Sequence, residues 1–354
     1  MTPHFILASD GESLHARGVA ATFTEPAAAA AALRRGRHRI VVGALPFDLE
    51  EPAALSAPDT FGFGPGAPVA SSGSLPALMV VGETPSPEQH VARVGELIER
   101  IRRGEADKVV LARAVDFAAT SALDTLAMAS MLAASDQAGN VFHADLSAAG
   151  DAHAGRVLVG SSPELLVQRR GRTVVCHPLA GTATEPDGLL ESAKDRDEHA
   201  YVVDAIADAL GPLCVDLDVP QAPSLTAAGE LWHLGTVVRG TLRDSGTSAL
   251  DLALALHPTP AVCGFPRVSA AQLIQEVEGP RGFYAGAVGW TDAEGDGHWR
   301  VSIRCAEVAE DRMSLRAWAG GGIVAASVPE RELEETSDKL RTVLGPFDIE
   351  ELVS

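Results

Sequence analysis

The chain has 354 residues, 46% of them hydrophobic and 5% aromatic, which suffices for one large or two ordinary domains around a substantial core. A formal net charge of -20 excludes a general affinity for nucleic acid or anionic lipid, because both are recruited by basic patches; a small anionic ligand held by local cations or a metal stays open. The opening MTPHFILASDGESLHARG lacks a basic stretch running into an apolar one, and no run reaches about 18 uncharged apolar residues, so a soluble cytoplasmic protein is expected.

In chain order, "TEPAAAAAALRRG" predicts a short helix with Thr24 as N-cap, Pro26 in its first turn and Gly36 as its stop. "RIVVGALPF" predicts a buried strand, and 52–76, rich in Pro, Gly, Ser and Ala, has no period and reads as irregular. In "SPEQHVARVGELIERIRRG", Val91, Val94, Leu97, Ile98 and Ile101 share one face between Pro87 and Gly104, which specifies an amphipathic helix. "DKVVLARAVDF" follows as a buried strand with Lys108 at its first position. Further strands are expected at "GRVLVGSS", "LLVQRRG", "TVVCHPLAG", "AGAVGW", "RVSIRCAEV" and "SLRAWAGGGIV", and helices at 121–134, 192–210, 248–256, 269–276 and 328–343. Grouped strands with helices between the groups, and no strict strand-helix alternation, give an α+β class with largely antiparallel sheets. Cys176, Cys214, Cys263 and Cys305 are scattered, without zinc spacing, and read as buried reduced thiols.

"GGGIVAASVPERELEETSDK" raises the first chemical question. Ser327 with Glu330 reads as a capping box, and on the helix that follows Glu332, Glu335 and Lys339 share one face. They form either an exposed charge pair or part of a site. Gly320, Gly321 and Gly322 just before it supply either a tight turn or bare amides that suit an anion. In "ESAKDRDEHAYVVDAIADALGP", Glu198 sits in the first turns of a second helix, as dipole compensation or as a partner carboxylate for a hard divalent cation. Glu164 in "GSSPELLV", Gly181 and Thr182 in "HPLAGTATE", and Lys108 and Arg304 beside apolar strand sequence are polar or small residues at element ends. Strict alternation would put Ile303 and Arg304 on opposite faces.

In this order "DKVVLAR", "SSPELL", "HPLAGT", "KDRDEHAYVVD", "LWHLGTVVRGTL", "LHPTPAVCG", "RGFYAGAVGW", "VSIRCAEV" and "AGGGIVAASVPERELEETSDKL" resemble the chorismate-utilising enzymes, which include isochorismate, salicylate, anthranilate and aminodeoxychorismate synthases. The resemblance implies a single domain over 1–354, a four-layer α/β/β/α sandwich with its site between the sheets; 86–345 is the catalytic core and 1–85 a less well matched part of the same fold. It also implies chorismate as substrate and Mg²⁺ held by Glu198 and Glu335, with Glu332 supporting through water. Arg304, Tyr284 and the amides of Gly320, Gly321 and Gly322 would take the enolpyruvyl carboxylate. Thr182, His233 and Lys339 would line the ring-carboxylate side.

Members of this family differ in the nucleophile delivered to C2 of the ring. Lys108 stands where the water-using members carry lysine, and Ala180 replaces the lysine of the aminodeoxychorismate type, so water is expected and no amidotransferase subunit is needed. A water of pKa about 16 needs a base, which assigns Lys108 as general base with a lowered pKa. Glu164, with a raised one, would protonate the departing C4 hydroxyl. Ala261 in "HPTPAV" resembles the isochorismate type rather than the salicylate type, which typically has Thr there. "AGGGI" and "GTATEPDG" depart from the family's commoner forms. The resemblance implies an isomerase acting as a monomer, and leaves open whether its product feeds menaquinone, siderophore or salicylate synthesis.

Overall fold

The computed structural model describes residues 2–9, 11–65, 75–135, 139–229, 231–345, 347 and 349. Among the described residues, ten strands form one sheet and nine a second, and a small third sheet joins Leu179–Ala183, Ser224–Ala228 and Leu231–Gly235. The pairings between these strands, among the described residues, are antiparallel, and an isolated parallel bridge joins Leu78 to Ile349. Helices Pro87–Arg102, Thr125–Ser135, Arg267–Val277 and Pro329–Leu344 pack on the ten-stranded sheet, Pro26–Arg34 and Ala249–Leu256 on the nine-stranded one, and Ala193–Leu210 on the small sheet and the adjoining edge of the nine-stranded one. The protein is therefore α+β, with helices flanking two antiparallel sheets. One apolar cluster includes Leu14, Leu45, Leu111, Phe142, Leu158, Val288 and Trp299 and continues into the helices through Leu33, Leu97, Ile206, Leu252 and Leu273. A second cluster, with Phe117, Met128, Leu315, Leu340 and Val343, lies under helices Thr125–Ser135 and Pro329–Leu344.

Local chemistry explains the firmest elements. Ser86 Oγ accepts from Gln89 N at 3.3 Å while Gln89 Oε1 accepts from Ser86 N at 3.1 Å, a reciprocal cap that starts Pro87–Arg102, and Val94, Leu97, Ile98 and Ile101 form its buried face. All four cysteines are buried and free. The alanine helix instead starts at Glu25 with no side-chain cap; the Thr24 carbonyl is drawn to Ala53 N at 2.8 Å, so Thr24 joins a strand connection and caps nothing. Ser327 does not cap Pro329–Leu344 either, because its hydroxyl accepts from Val324 N at 3.1 Å and closes the turn after the glycine strand. Within 52–76, Ala54–Ala57 and Thr60–Pro65 are strands, and 66–74 lies outside the described residues. Ala54–Ala57 is buried against Ile40–Leu45 and Ala21–Phe23, and Phe61 and Phe63 alternate with glycine opposite Glu12–Arg17, so pairing with distant strands outweighs weak local propensity.

Two crossings between the sheets position the site. Val157–Ser161 pairs with Cys305–Val308 in the ten-stranded sheet, and Leu165–Arg170 pairs with Gly297–Val301 in the nine-stranded one. Both chains thus leave one sheet and enter the other side by side, at 162–164 and 302–304. Ser161 N donates to Arg304 O at 3.0 Å and Val301 N to Glu164 O at 3.2 Å, which ties the crossings together. The expected continuous strand "RVSIRCAEV" is broken here: Arg304 takes φ 51°, and that left-handed residue ends the alternation, so Ile303 and Arg304 face the same cavity. "TVVCHPLAG" also divides, with Thr173–His177 in the nine-stranded sheet and Leu179–Ala183 in the small one.

Candidate active site

Where the sheets part at the crossings they leave a cavity. Glu164 and Arg304 reach it from the two crossings, and Thr182 and His233 from the small sheet. Glu198 comes from helix Ala193–Leu210, Lys339 from Pro329–Leu344, and Gly320 and Gly322 from strand Ser314–Val324. Ala261 and Tyr284 complete the wall. Lys108, Gly321, Glu332 and Glu335 do not line the cavity; they stand behind Glu198, Gly322 and Lys339.

The glycine strand has two distinct faces. In register, Gly320, Gly321 and Gly322 oppose Ala112, Leu111 and Val110. Ala112 N donates to Glu278 Oε2 at 2.9 Å, Val110 N to Cys263 O at 2.9 Å, and Val110 O accepts from Arg281 Nη2 at 2.7 Å. Ala112 and Val110 therefore turn their peptide groups away from the glycine strand, and in an antiparallel ladder so do the residues opposite them. The free edge thus carries the Gly320 and Gly322 amides, beyond Ala317 where pairing with Cys305–Val308 stops. Lys339 Nζ meets that edge, donating to Gly320 O at 2.9 Å. Gly321 forms the hydrogen-bonded pair with Leu111, so its amide is spent in the sheet and the expectation that all three amides serve an anion is corrected to two.

Each missing Cβ makes room for a carboxylate. A Cβ on Gly322 would stand 2.2 Å from Glu198 Oε1, and one on Gly321 would stand 3.1 Å from Glu332 Oε2 and 3.8 Å from Glu335 Oε1. Each carboxylate in turn faces an ammonium: Lys108 Nζ is 3.0 Å from Glu198 Oε1, Lys194 Nζ 3.0 Å from Glu332 Oε1, and Lys339 Nζ 2.6 Å from Glu335 Oε1. Burial works to raise the Glu198 carboxyl, but Lys108, Lys194 and Lys339 together hold it below its usual range. Burial and the neighbouring Glu335 carboxylate raise Glu332, against the pull of Lys194. Glu332 Oε2 is buried with no hydrogen-bond partner. This set fits a divalent cation: hard oxygen donors, one of them orphaned, beside a backbone that leaves space. Among the described residues, however, no three His, Cys, Asp or Glu side chains are already gathered around one point.

Opposite chemistry lies across the cavity. Burial pushes the Glu164 carboxyl up to about 8, against Lys108 and Arg300, so it carries a proton at neutral pH. Burial and the Arg304 charge push His233 down to about 3. Its neutral ring is fixed: Nδ1–H donates to Gly181 O at 2.9 Å, leaving Nε2 to accept from Arg304 Nη2 at 3.3 Å. A bulge at Gly181, which takes φ 69°, brings that carbonyl into reach, and Thr182 Oγ1 lies 3.3 Å from the same Nδ1. Thr182, His233 and Arg304 are therefore one hydrogen-bonded group. Burial lowers Arg304 only to about 10, so it stays cationic.

The chain is similar to known proteins. Residues 70–347 match the model of the family described as "Chorismate binding enzyme". The chain belongs to the chorismate binding enzyme family. Among curated relatives, "Putative isochorismate synthase MenF" of Mycobacterium tuberculosis is 46% identical over 99% of this chain and 97% of its own length, and "Isochorismate synthase DhbC" of Bacillus subtilis is 42% identical over 91% and 84%. Among solved structures, one titled "putative 2,3-dihydroxybenzoate-specific isochorismate synthase, DhbC from Bacillus anthracis" superposes with a TM-score of 0.88 at 38% identity, covering 97% of this chain and 95% of that one.

Within this chorismate binding enzyme fold, three residues near the site escaped the sequence reading. Lys194, four residues before Glu198 in "KDRDEH", pairs with Glu332 on another helix, and only the i, i+4 spacing hinted at it. Trp318 stacks on Tyr284 at 5.6 Å with 10° between planes and lines the cavity. Arg281 is almost fully buried. It donates to Val262 O at 2.7 Å and Val110 O at 2.7 Å, is held by Glu278 Oε2 at 2.6 Å, and lies 6.0 Å from the Tyr284 ring centre. Arg281→Met is expected to cost about 3–5 kcal/mol in chemical denaturation, since it leaves Glu278 and two wall carbonyls buried without their cation.

Proposed function

We propose that this chain isomerises chorismate to isochorismate, adding water at C2 of the ring and releasing the C4 hydroxyl. The observation that carries this reading is likeness along nearly the whole chain to proteins named as isochorismate synthases. The cavity supports it: a dianion suits a pocket whose cations are Arg304 and Lys339 and whose free strand edge offers the Gly320 and Gly322 amides. Tyr284, held against Trp318, and Arg304, held by His233, would bind the enolpyruvyl carboxylate. Thr182 would help fix the ring, and Ala261 shapes the wall beside it.

Glu198 and Glu335, with Glu332 behind them, would hold Mg²⁺, which when bound supplies positive charge for the ring carboxylate. Glu164 holds the proton that the leaving C4 hydroxyl needs, and Lys108 is the residue assigned to take one from the attacking water. Lys108 is fully buried behind Glu198, and after burial its charge is the next influence on the Glu164 carboxyl, which supports pairing the two in one reaction. We read 1–354 as one domain, supported by the pairing of Phe5–Ser9 with Val141–Asp145 and of Ile40–Leu45 with Ala287–Asp292, in different sheets. No helix among the described residues is long and apolar enough to cross a membrane. We place the enzyme in the cytoplasm, as a monomer without an amidotransferase subunit, supplying menaquinone or siderophore synthesis.

Incubating the purified chain with chorismate and MgCl₂ and separating the products tests this. Isochorismate is expected to accumulate, and Lys108→Ala to abolish its formation. Salicylate with equimolar pyruvate would overturn the isomerase reading in favour of a synthase that continues to elimination.

A further inference from the structure

Arg113 lies on strand Lys108–Ala119, five residues after Lys108, and the odd spacing turns it to the opposite face, under helix Pro329–Leu344. It is nearly fully buried and uses all three guanidinium nitrogens. Nε donates to Thr336 Oγ1 at 2.9 Å, Nη2 to Ser337 Oγ at 2.7 Å, and Nη1 to Glu83 Oε2 at 2.7 Å. Both hydroxyls pass their own protons to Leu333 O, at 2.8 Å and 2.9 Å, so each is held as an acceptor pointing at the fork. The clamped turn, 333–337, lies between Glu332 and Lys339 and contains Glu335. A planar fork gripping two adjacent hydroxyls fixes both the rotation of the helix and its advance along its axis, which one point charge cannot do.

We propose that Arg113, locked by Glu83, is a positioning residue: it sets the rotation of helix Pro329–Leu344 so that Glu332 and Glu335 present their carboxylates at the cation site and Lys339 its ammonium at the Gly320 edge. This rests on the reading of Glu335 as a Mg²⁺ ligand, and the controls separate the two. The mechanism assigns Arg113 no role, and its guanidinium hydrogen-bonds to no cavity-lining residue. Its influence passes through the helix that carries three of the site's charges.

The test is calorimetric titration of MgCl₂ into the folded protein without chorismate, paired with thermal unfolding. Thr336→Val with Ser337→Ala keeps the arginine and Glu83 while removing what the fork grips, and is expected to weaken Mg²⁺ binding about 10-fold to 100-fold. Arg113→Lys should weaken it similarly, because an ammonium restores charge without the fork. Glu83→Gln should have a smaller effect in the same direction. A purely structural clamp would lower the melting temperature or the folded fraction yet leave the affinity of the folded protein unchanged, and that result for the double variant overturns the proposal even where Arg113→Lys fails to fold. Glu335→Gln is the control. If it leaves Mg²⁺ affinity unchanged, the ligand assignment itself fails; if it weakens binding while the double variant does not, only the positioning role fails.

Discussion

Glu164→Gln should lose about 10²-fold to 10⁴-fold in turnover of chorismate and, at the same time, gain stability. Both effects follow from one fact, that the folded chain holds the Glu164 proton up to about pH 8 whereas an ordinary glutamate releases it near 4.5. Between those values the folded state binds one proton more than the unfolded state, so this group's contribution to stability falls as pH rises through the window. Glutamine keeps the shape and has no proton to lose, which removes that cost. The stability difference between variant and parent should therefore be absent at pH 4, grow with pH, and level off above about 8 at a few kcal/mol. In the parent, kcat/KM should fall on the alkaline side as Glu164 ionises, and in the variant the residual activity should lose that limb. Urea unfolding at several pH values, together with the pH profile of kcat/KM, checks the two halves independently. Destabilisation at pH 8, or an unchanged alkaline limb, would remove Glu164 from the role of proton donor.

The sequence disclosed the parts of this site better than their arrangement. Helix Pro87–Arg102 and strand Lys108–Ala119 were legible because their signals are local: a reciprocal cap, an apolar stripe, a run of β-branched residues. The carboxylates and lysines were legible as ordered motifs resembling a family. The double crossing was not, because "VLVGSSPELLVQ" gives no local sign that its two halves belong to different sheets; only pairing with Cys305–Val308 on one side and Gly297–Val301 on the other reveals it. That crossing is what brings Glu164 opposite Arg304. It also explains why alternation fails at Arg304, where positive φ in a non-glycine residue is a strain kept at a site that needs the side chain re-aimed. The cap expected at Ser327 failed for a related reason, since a hydroxyl with two reachable backbone amides closes the turn that tertiary structure holds nearest.

The glycine strand gives the other large effect: Gly322→Ala should cost about 100-fold in kcat/KM with little loss of stability. Its new Cβ would stand 2.2 Å from Glu198 Oε1 and 3.0 Å from Lys108 Cε, so those two side chains must move by roughly an ångström, a displacement that costs about 10²-fold where reacting groups are positioned. The nearest obstacle is the end of a side chain and not backbone, and Gly322 needs no left-handed φ, so the fold can absorb the methyl group. Gly321→Ala is the matched comparison. Its Cβ would face Glu332 Oε2 at 3.1 Å, a contact that a few tenths of an ångström relieves, and its amide stays in the ladder, so a loss of about tenfold is expected. The order of the two effects discriminates between explanations. If the glycines were there for backbone freedom, both alanines would act through stability and to a similar degree. If they are there to leave room for carboxylates on opposite faces of one strand, Gly322→Ala should reduce both catalysis and Mg²⁺ affinity while melting near the parent temperature, and Gly321→Ala should follow it weakly. Equal losses in the two variants, tracking a fall in melting temperature, would return the glycine run to a purely structural role.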